Sequence, residues 1–290
     1  MASSDTASSR LGGSGPPFAV FDVHTHAFPD DVAKKALPKL EQAALWFPCP
    51  ATHDGTVRGL LASMDRAGIR RAAVCGVATR PEQTTKITDW SASVACERLV
   101  PFASVHPDFP DPEAEIGRIA RLGLKGLKFH SYYMECPLDD PRCIRIARAA
   151  AAANLAMVFH TGYDLAFEKA DVASPQRVRR LHEAVPTLRM AAAHLGGWED
   201  WDESRRHVVG LPVYLETSYS LGRCRRDLLL DILTSHPPQY LLFGTDAPWT
   251  DQAEAVARLL SLPVADDLKR RMWDNSHRFA GLPLPGGGKM

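Results

Sequence analysis

Residues 18–26 read FAVFDVHTH, an apolar run of strand length that ends in two histidines one pleat apart. Seven similar runs follow: Arg71–Ala78, Leu99–His106, Leu124–His130, Leu155–Thr161, Leu188–Leu195, Leu211–Thr217 and Tyr240–Asp246. Most are bounded by Gly, Pro or a polar cluster, as strands are. Helical patterns lie between them. Leu60, Leu61 and Met64 share a face in Thr56–Arg66, and Ile116 and Ile119 do so in Glu113–Leu122. Cys143–Ala153 is Ala-rich, and Ser174-Pro175 offers an N-cap with Pro at the first helical position. Arg225–Thr234, Gln252–Leu260 and Ala265–Phe279 complete the helical set. Eight near-continuous apolar strands alternating with helices imply a parallel sheet covered on its outer face. At 290 residues the pattern predicts an α/β fold, a single-domain (β/α)8 TIM barrel over 18–282. Residues 1–17, Ser/Gly-rich and poor in large apolar groups, and 283–290 read as disordered tails. Pro29–His53 is the one long insertion, and a helix over the barrel mouth is expected there.

Composition narrows the function. Lys+Arg and Asp+Glu are 34 each, which argues against a basic grip on nucleic acid or an anionic membrane. No apolar run approaches membrane-span length, and no basic segment followed by an apolar one opens the chain. The six cysteines lie far apart without a C-x-x-C pair and read as reduced thiols, so a cytoplasmic location is expected. No G-x-G-x-x-G follows the first strand and no phosphate-binding P-loop is present. The expected partner is a small molecule.

In a barrel the strand C-termini face the active site. His24, His26, His106, Lys128, His130, His160, His194 and Asp246 all fall at predicted strand ends, and Glu216 lies near the seventh. Scattered core histidines would not choose that edge. Two imidazoles at i and i+2 can hold one cation from one side, and a third imidazole and a carboxylate from distant strands can complete the shell. Such N/O donors suit Zn2+, with Mn2+ and Fe2+ as alternatives.

The constellation resembles the amidohydrolase superfamily, and more narrowly its amidohydrolase-related branch, which includes metal-dependent aromatic-acid decarboxylases. The resemblance is carried by FDVHTHAFPD, MDRAGIRRAAV, FASVHPDFPD, GLKGLKFHSYY, PLDDPR, FHTG, AHLGG, VYLETS, FGTDAPW and WDNSHRFAGL, from about Phe18 to Leu282. It implies His24, His26, His160 and Asp246 as metal ligands and His194 as a histidine that either supports those ligands or takes part in catalysis. Two departures bear on detail: His106 stands where many relatives have Asn, and Lys128, if carboxylated, would bridge two metals. Relatives of this type often form homodimers.

The reaction expected first is hydrolysis of an amide, lactone or ester. Asp246 takes the proton of a metal-activated water, and His194 or Lys128 polarises the carbonyl. The alternative is non-oxidative decarboxylation of a (hydroxy-)aromatic acid by nearly the same residues. A barrel that only binds a metal or ligand is the non-catalytic alternative. His130 reads as catalytic or as a substrate contact, and His106, Trp198 and Trp249 as substrate contacts. His53, His182, His207, His236 and His277 read as surface or packing residues, and Arg177–Arg180 as a solvated face. The loops Pro29–His53, Tyr132–Pro141 and Tyr219–Arg226 would set specificity, with Arg58, Arg80 and Arg223 as candidates to meet a carboxylate.

Overall fold

A computed structural model describes residues 19–284; the two expected tails fall largely outside this range. Eight parallel strands follow one another around a single sheet in chain order. They are β1 (Val20–Thr25), β2 (Ile69–Cys75), β3 (Leu99–Ala103), β4 (Gly126–Phe129), β5 (Ala156–Phe159), β6 (Met190–Ala192), β7 (Tyr214–Glu216) and β8 (Leu241–Leu242). Backbone bonds from Val23 N–H to Phe243 O (3.0 Å) and from Asp246 N–H to His24 O (2.8 Å) join the last strand to the first. The result is the (β/α)8 barrel, its strands shorter than the apolar runs that announced them.

Among the described residues, ten α-helices surround it: α1 (Asp30–Ala43), α2 (Val57–Ala67), α3 (Thr84–Val94), α4 (Pro112–Arg121), α5 (Pro141–Ala152), α6 (Pro175–Ala184), α7 (Trp201–His207), α8 (Arg226–Ser235), α9 (Gln252–Ser261) and α10 (Asp266–Phe279). Several starts are written in local chemistry. Thr56, Asp111, Asp140 and Asp251 accept backbone N–H bonds from the first turns of α2, α4, α5 and α9. Pro175 occupies the first turn of α6, but the Ser174 side chain makes no capping bond. The expected insertion helix is α1.

Alternation along the strands divides the core in two. One set, including Val74, Leu127, Phe159 and Leu215, packs beneath the helices. The other fills the barrel: Phe21, Val23, Ala73, Phe102, Ala156, Val158, Ala191 and Leu242, closed from below by Phe279 of α10. Large and small residues share that interior. Gly126 is required beside Phe102, because a Cβ there would stand 2.5 Å from the Phe102 ring. A register irregularity between Asp22 and Thr25 keeps Val23 in the interior set while His24 and His26 reach the cavity above it.

His236 is a packing residue, as expected, and it makes the fold acid-sensitive. Its buried ring accepts from Gly210 N–H at Nδ1 (3.2 Å) and donates from Nε2 to Val213 O (2.9 Å). Burial lowers its pKa to about 4, below the ordinary histidine value of 6.5. The folded state binds this proton more weakly than the unfolded state. Stability is therefore full above pH 6.5 and falls as pH drops through 4, by up to about 3 kcal/mol. Urea unfolding at pH 7.5 and pH 4.5 should show a loss that is smaller in His236→Gln by about 2 kcal/mol, the buried histidines of the barrel mouth supplying the remainder; an unchanged loss rules the residue out.

Candidate metal centre and active site

The barrel mouth opens on a cavity of about 820 Å3 that His24, His26, Lys128, His130, His160, His194 and Asp246 all line. Hydrogen-bond partners fix the ring tautomers. His26 Nδ1 lies 2.8 Å from the Cys75 carbonyl, and His24 Nδ1 lies 2.8 Å from Glu216 Oε1. His194 Nδ1 faces the Ser218 carbonyl (3.0 Å), and His160 Nε2 faces the Tyr163 carbonyl (2.9 Å). These oxygens only accept, so in a neutral ring each of those nitrogens carries the proton and the other presents a lone pair.

The lone pairs point at one another or at an anion. His24 Nε2 and His26 Nε2 stand 3.4 and 3.1 Å from Asp246 Oδ1. His194 Nε2 lies 3.1 Å from His160 Nδ1 with no proton for either to share. Burial holds the pKa values of His24, His160 and His194 below the ordinary histidine range, so these rings stay neutral. Acceptors facing acceptors repel unless positive charge lies among them. Lys128 Nζ, 2.7 Å from His24 Nε2, is one such charge, but burial lowers its pKa as well. A divalent cation with N/O ligands at roughly 2.0–2.2 Å suits the remaining lone pairs. The donor set fits such an ion, and each ring is already oriented by a partner behind it.

The ligand atoms of His24, His26 and Asp246 lie within 4.8 Å of one another. His160 is turned so that it forms a different group of that kind, with His130 and Asp164. Its ring stacks on His130 at 4.1 Å between centroids, and His130 Nε2 lies 3.3 Å from Asp164 Oδ2. Among the expected ligands, His160 thus approaches the centre through His194 rather than beside His24.

Behind the rings sits a polar node. Ser218 Oγ donates to Glu216 Oε1 (2.6 Å) and lies 2.8 Å from His194 Nδ1; Glu216 also accepts from the backbone N–H of His194 (3.2 Å). Burial alone would push the Glu216 carboxyl up, but His24, His194 and Ser218 together hold it at about 2. His194, Tyr219 and Asp246, which all line the cavity, adopt positive φ without being glycine. Backbone strain of that kind gathers where a side chain must be aimed.

Trp198 and Trp249 line the cavity. His106 does not. β3 ends at Ala103, and the chain then turns so that His106 Nδ1 accepts from Asp108 N–H (3.1 Å). The structure thus places the ring outside the lining of this cavity. Arg80 lines the cavity, whereas Arg58 and Arg223 do not; Arg223 lies over the Tyr219 and Phe47 rings. Asp164, Tyr133, Tyr219 and Ser218 were not anticipated from sequence. Only Asp164, four residues beyond His160, left a readable mark: a carboxylate just past a strand-end histidine.

The sequence pattern that defines the amidohydrolase family matches residues 21–282. The chain belongs to the amidohydrolase family. No curated protein matches the chain by sequence. Solved structures resemble its fold at low identity. An uncharacterised TIM-barrel protein from Bordetella bronchiseptica shows a TM-score of 0.74 at 17% identity, over 90% of this chain and 99% of that one. A 5-carboxyvanillate decarboxylase from Sphingomonas paucimobilis gives 0.67 at 18%, over 92% and 100%. A 5-carboxyvanillate decarboxylase from Novosphingobium aromaticivorans, complexed with manganese and 4-hydroxy-3-methoxy-5-nitrobenzoic acid, gives 0.70 at 17%, over 92% and 97%. Among the described residues, no helix is long and apolar enough to cross a membrane.

Proposed function

We propose that this amidohydrolase-family barrel is a divalent-metal-dependent enzyme of small aromatic acids, and that its reaction is non-oxidative decarboxylation. One observation carries the reading. The cavity that holds the array of inward-facing lone pairs has largely apolar walls, Trp198, Trp249, Ile87 and Trp90 among them, and lysines also line it. A flat, apolar, anionic substrate suits such a space. The decarboxylases among its structural neighbours, one holding manganese and a nitrobenzoic acid, support the same chemistry.

His24, His26, Asp246 and His160 would hold the cation, with Mn2+ and Zn2+ as the leading choices. When bound, it supplies Lewis-acid polarisation of substrate oxygens. Lys128 and His130 would orient the carboxylate by charge and hydrogen bonding. Asp246 or His194 would deliver the proton to carbon. The Glu216–Ser218 node keeps His194 in its Nδ1–H tautomer and so leaves Nε2 free for proton traffic.

Hydrolysis, which the sequence placed first, is retained as the second reading on one observation. The Asp246 carboxylate lies against the Nε2 atoms of both His24 and His26, where it could also take a proton from water. The two separate cleanly by product. Protein reconstituted with Mn2+ or Zn2+ should release CO2 from a hydroxybenzoate panel and, in D2O, place deuterium on the vacated carbon. A new carboxylate from a lactone or amide, without CO2, would instead establish hydrolysis. Turnover of neither panel by metal-loaded protein would leave a binding role.

A further inference from the structure

The cavity that holds the histidine centre is lined also by two helices, α1 and α3. On α1 the residues Val32, Ala36 and Leu40 recur at four-residue spacing and line it. The helix packs inward with Ala33 and Leu37 instead, so the lining stripe is uncovered, and Val32 is 41% exposed. α3 contributes Ile87 and Trp90 to the lining of the same cavity. The groove that these helices line is therefore apolar along both.

Its rims are cationic. Lys35 and Lys39 flank the α1 stripe, and Lys86 and Arg80 lie on the α3 side; Asp31 is the carboxylate α1 brings to the lining. Arg80 is held by Glu82 at 3.0 Å. Lys35, Lys39 and Lys86 have no ion-pair partner among the described residues. Three unpaired ammonium groups beside an apolar channel match a ligand with an apolar body and an anionic end. From Asp31 to Leu40, α1 runs along the groove for about 14 Å at 1.5 Å per residue, room for a tail of several carbons.

We propose that the substrate is a di-acid. Its aromatic carboxylate meets the histidine centre, and an apolar tail runs out between α1 and α3 to a second anionic group held by Lys35, Lys39 and Lys86. This rests on the reading that the centre takes the first carboxylate, and it adds which acids the barrel selects.

The test compares 4-(ω-carboxyalkyl)benzoates, with tails of two to six carbons, against the matching 4-alkylbenzoates. Binding is measured calorimetrically on the full chain with Mn2+ and again in EDTA. The parent should prefer the di-acid by roughly tenfold at low salt, with the preference shrinking at 0.5 M salt. Lys35→Gln/Lys39→Gln/Lys86→Gln should erase that preference. Lys34→Gln/Arg66→Gln/Arg121→Gln, equal in charge loss but away from the cavity, should keep it. A parent without the preference, or a rim variant that retains it, overturns the proposal. Because the ratio of affinities reads the groove and turnover reads the centre, the two can fail separately. Failure to release CO2 with the preference intact would defeat the proposed reaction alone.

Discussion

Asp246→Asn is expected to lower kcat by at least about 10^3-fold while leaving the chelated protein no less stable than the parent. The two effects have one cause. Asp246 Oδ1 faces the lone pairs of His26 Nε2 at 3.1 Å and His24 Nε2 at 3.4 Å, an arrangement that without a cation is repulsive. A carboxamide has the same shape but brings N–H donors, which would satisfy those nitrogens directly. On the proposed function the substitution removes an anionic ligand and a proton carrier, and it supplies His26 Nε2 with a hydrogen bond that the metal-free parent lacks. Metal content after dialysis, kcat, and the melting temperature in EDTA read the three consequences separately. A variant that keeps a full equivalent of metal and kcat within tenfold of the parent would remove Asp246 from the centre. A large fall in the EDTA melting temperature would make it a structural residue instead.

Gly162→Ala is expected to destabilise the fold by at least about 3 kcal/mol, through positive-φ strain and overpacking together. Gly162 sits at φ +86°, just beyond β5. A Cβ there would overlap the backbone N and O of Trp198 and come within 2.5 Å of the Gly197 carbonyl carbon. Those atoms cannot retreat cheaply. Trp198 N–H donates to Thr161 O (2.9 Å), Tyr163 N–H donates to Trp198 O (2.9 Å), and Gly162 N–H donates to Ala173 O (2.7 Å). The clash falls between a strand-end histidine and a wall of the cavity, so KM should rise along with the loss of stability. Urea unfolding with a shift below about 1 kcal/mol would show that the loop yields more readily than these bonds imply.

The strands were legible because each is an apolar run bounded by breakers, and their order around the barrel follows from alternation with helices. Two helices left little trace. α3 is TTKITDWSASV, rich in Thr and Ser, and is held by packing of Thr84, Thr88 and Ser91 rather than by an apolar stripe. α7 is one short charged stretch, Trp201–His207, behind a strained turn. At the site, strand-end position announced His24, His26, His160, His194 and Asp246, all of which line the cavity. Ring orientation was not legible. Whether His160 turns towards His24 or towards His194 depends on the Tyr163 carbonyl, a loop contact that strand pattern does not encode. His106, three residues beyond the end of β3, lies outside the cavity lining, and the strand pattern does not show where the chain turns after the strand. The Ser218–Glu216 node was invisible for a related reason: its partners come from β1 and from the turn after β6, and only closure brings them together.

The seam between β8 and β1 has a consequence for how the molecule is made. Val23, His26 and Asp246 donate backbone bonds across it to Phe243, Ala247 and His24. The same seam brings His24 and His26 of the first strand against Asp246 of the last. During synthesis the two histidines emerge early and must wait for nearly the whole barrel before their carboxylate arrives. A cation seated on all three side chains would act as a rivet through the final joint. Newly made chains would then mature in two stages, ring closure first and ion capture second, and the ion would be drawn from solution only by a finished ring.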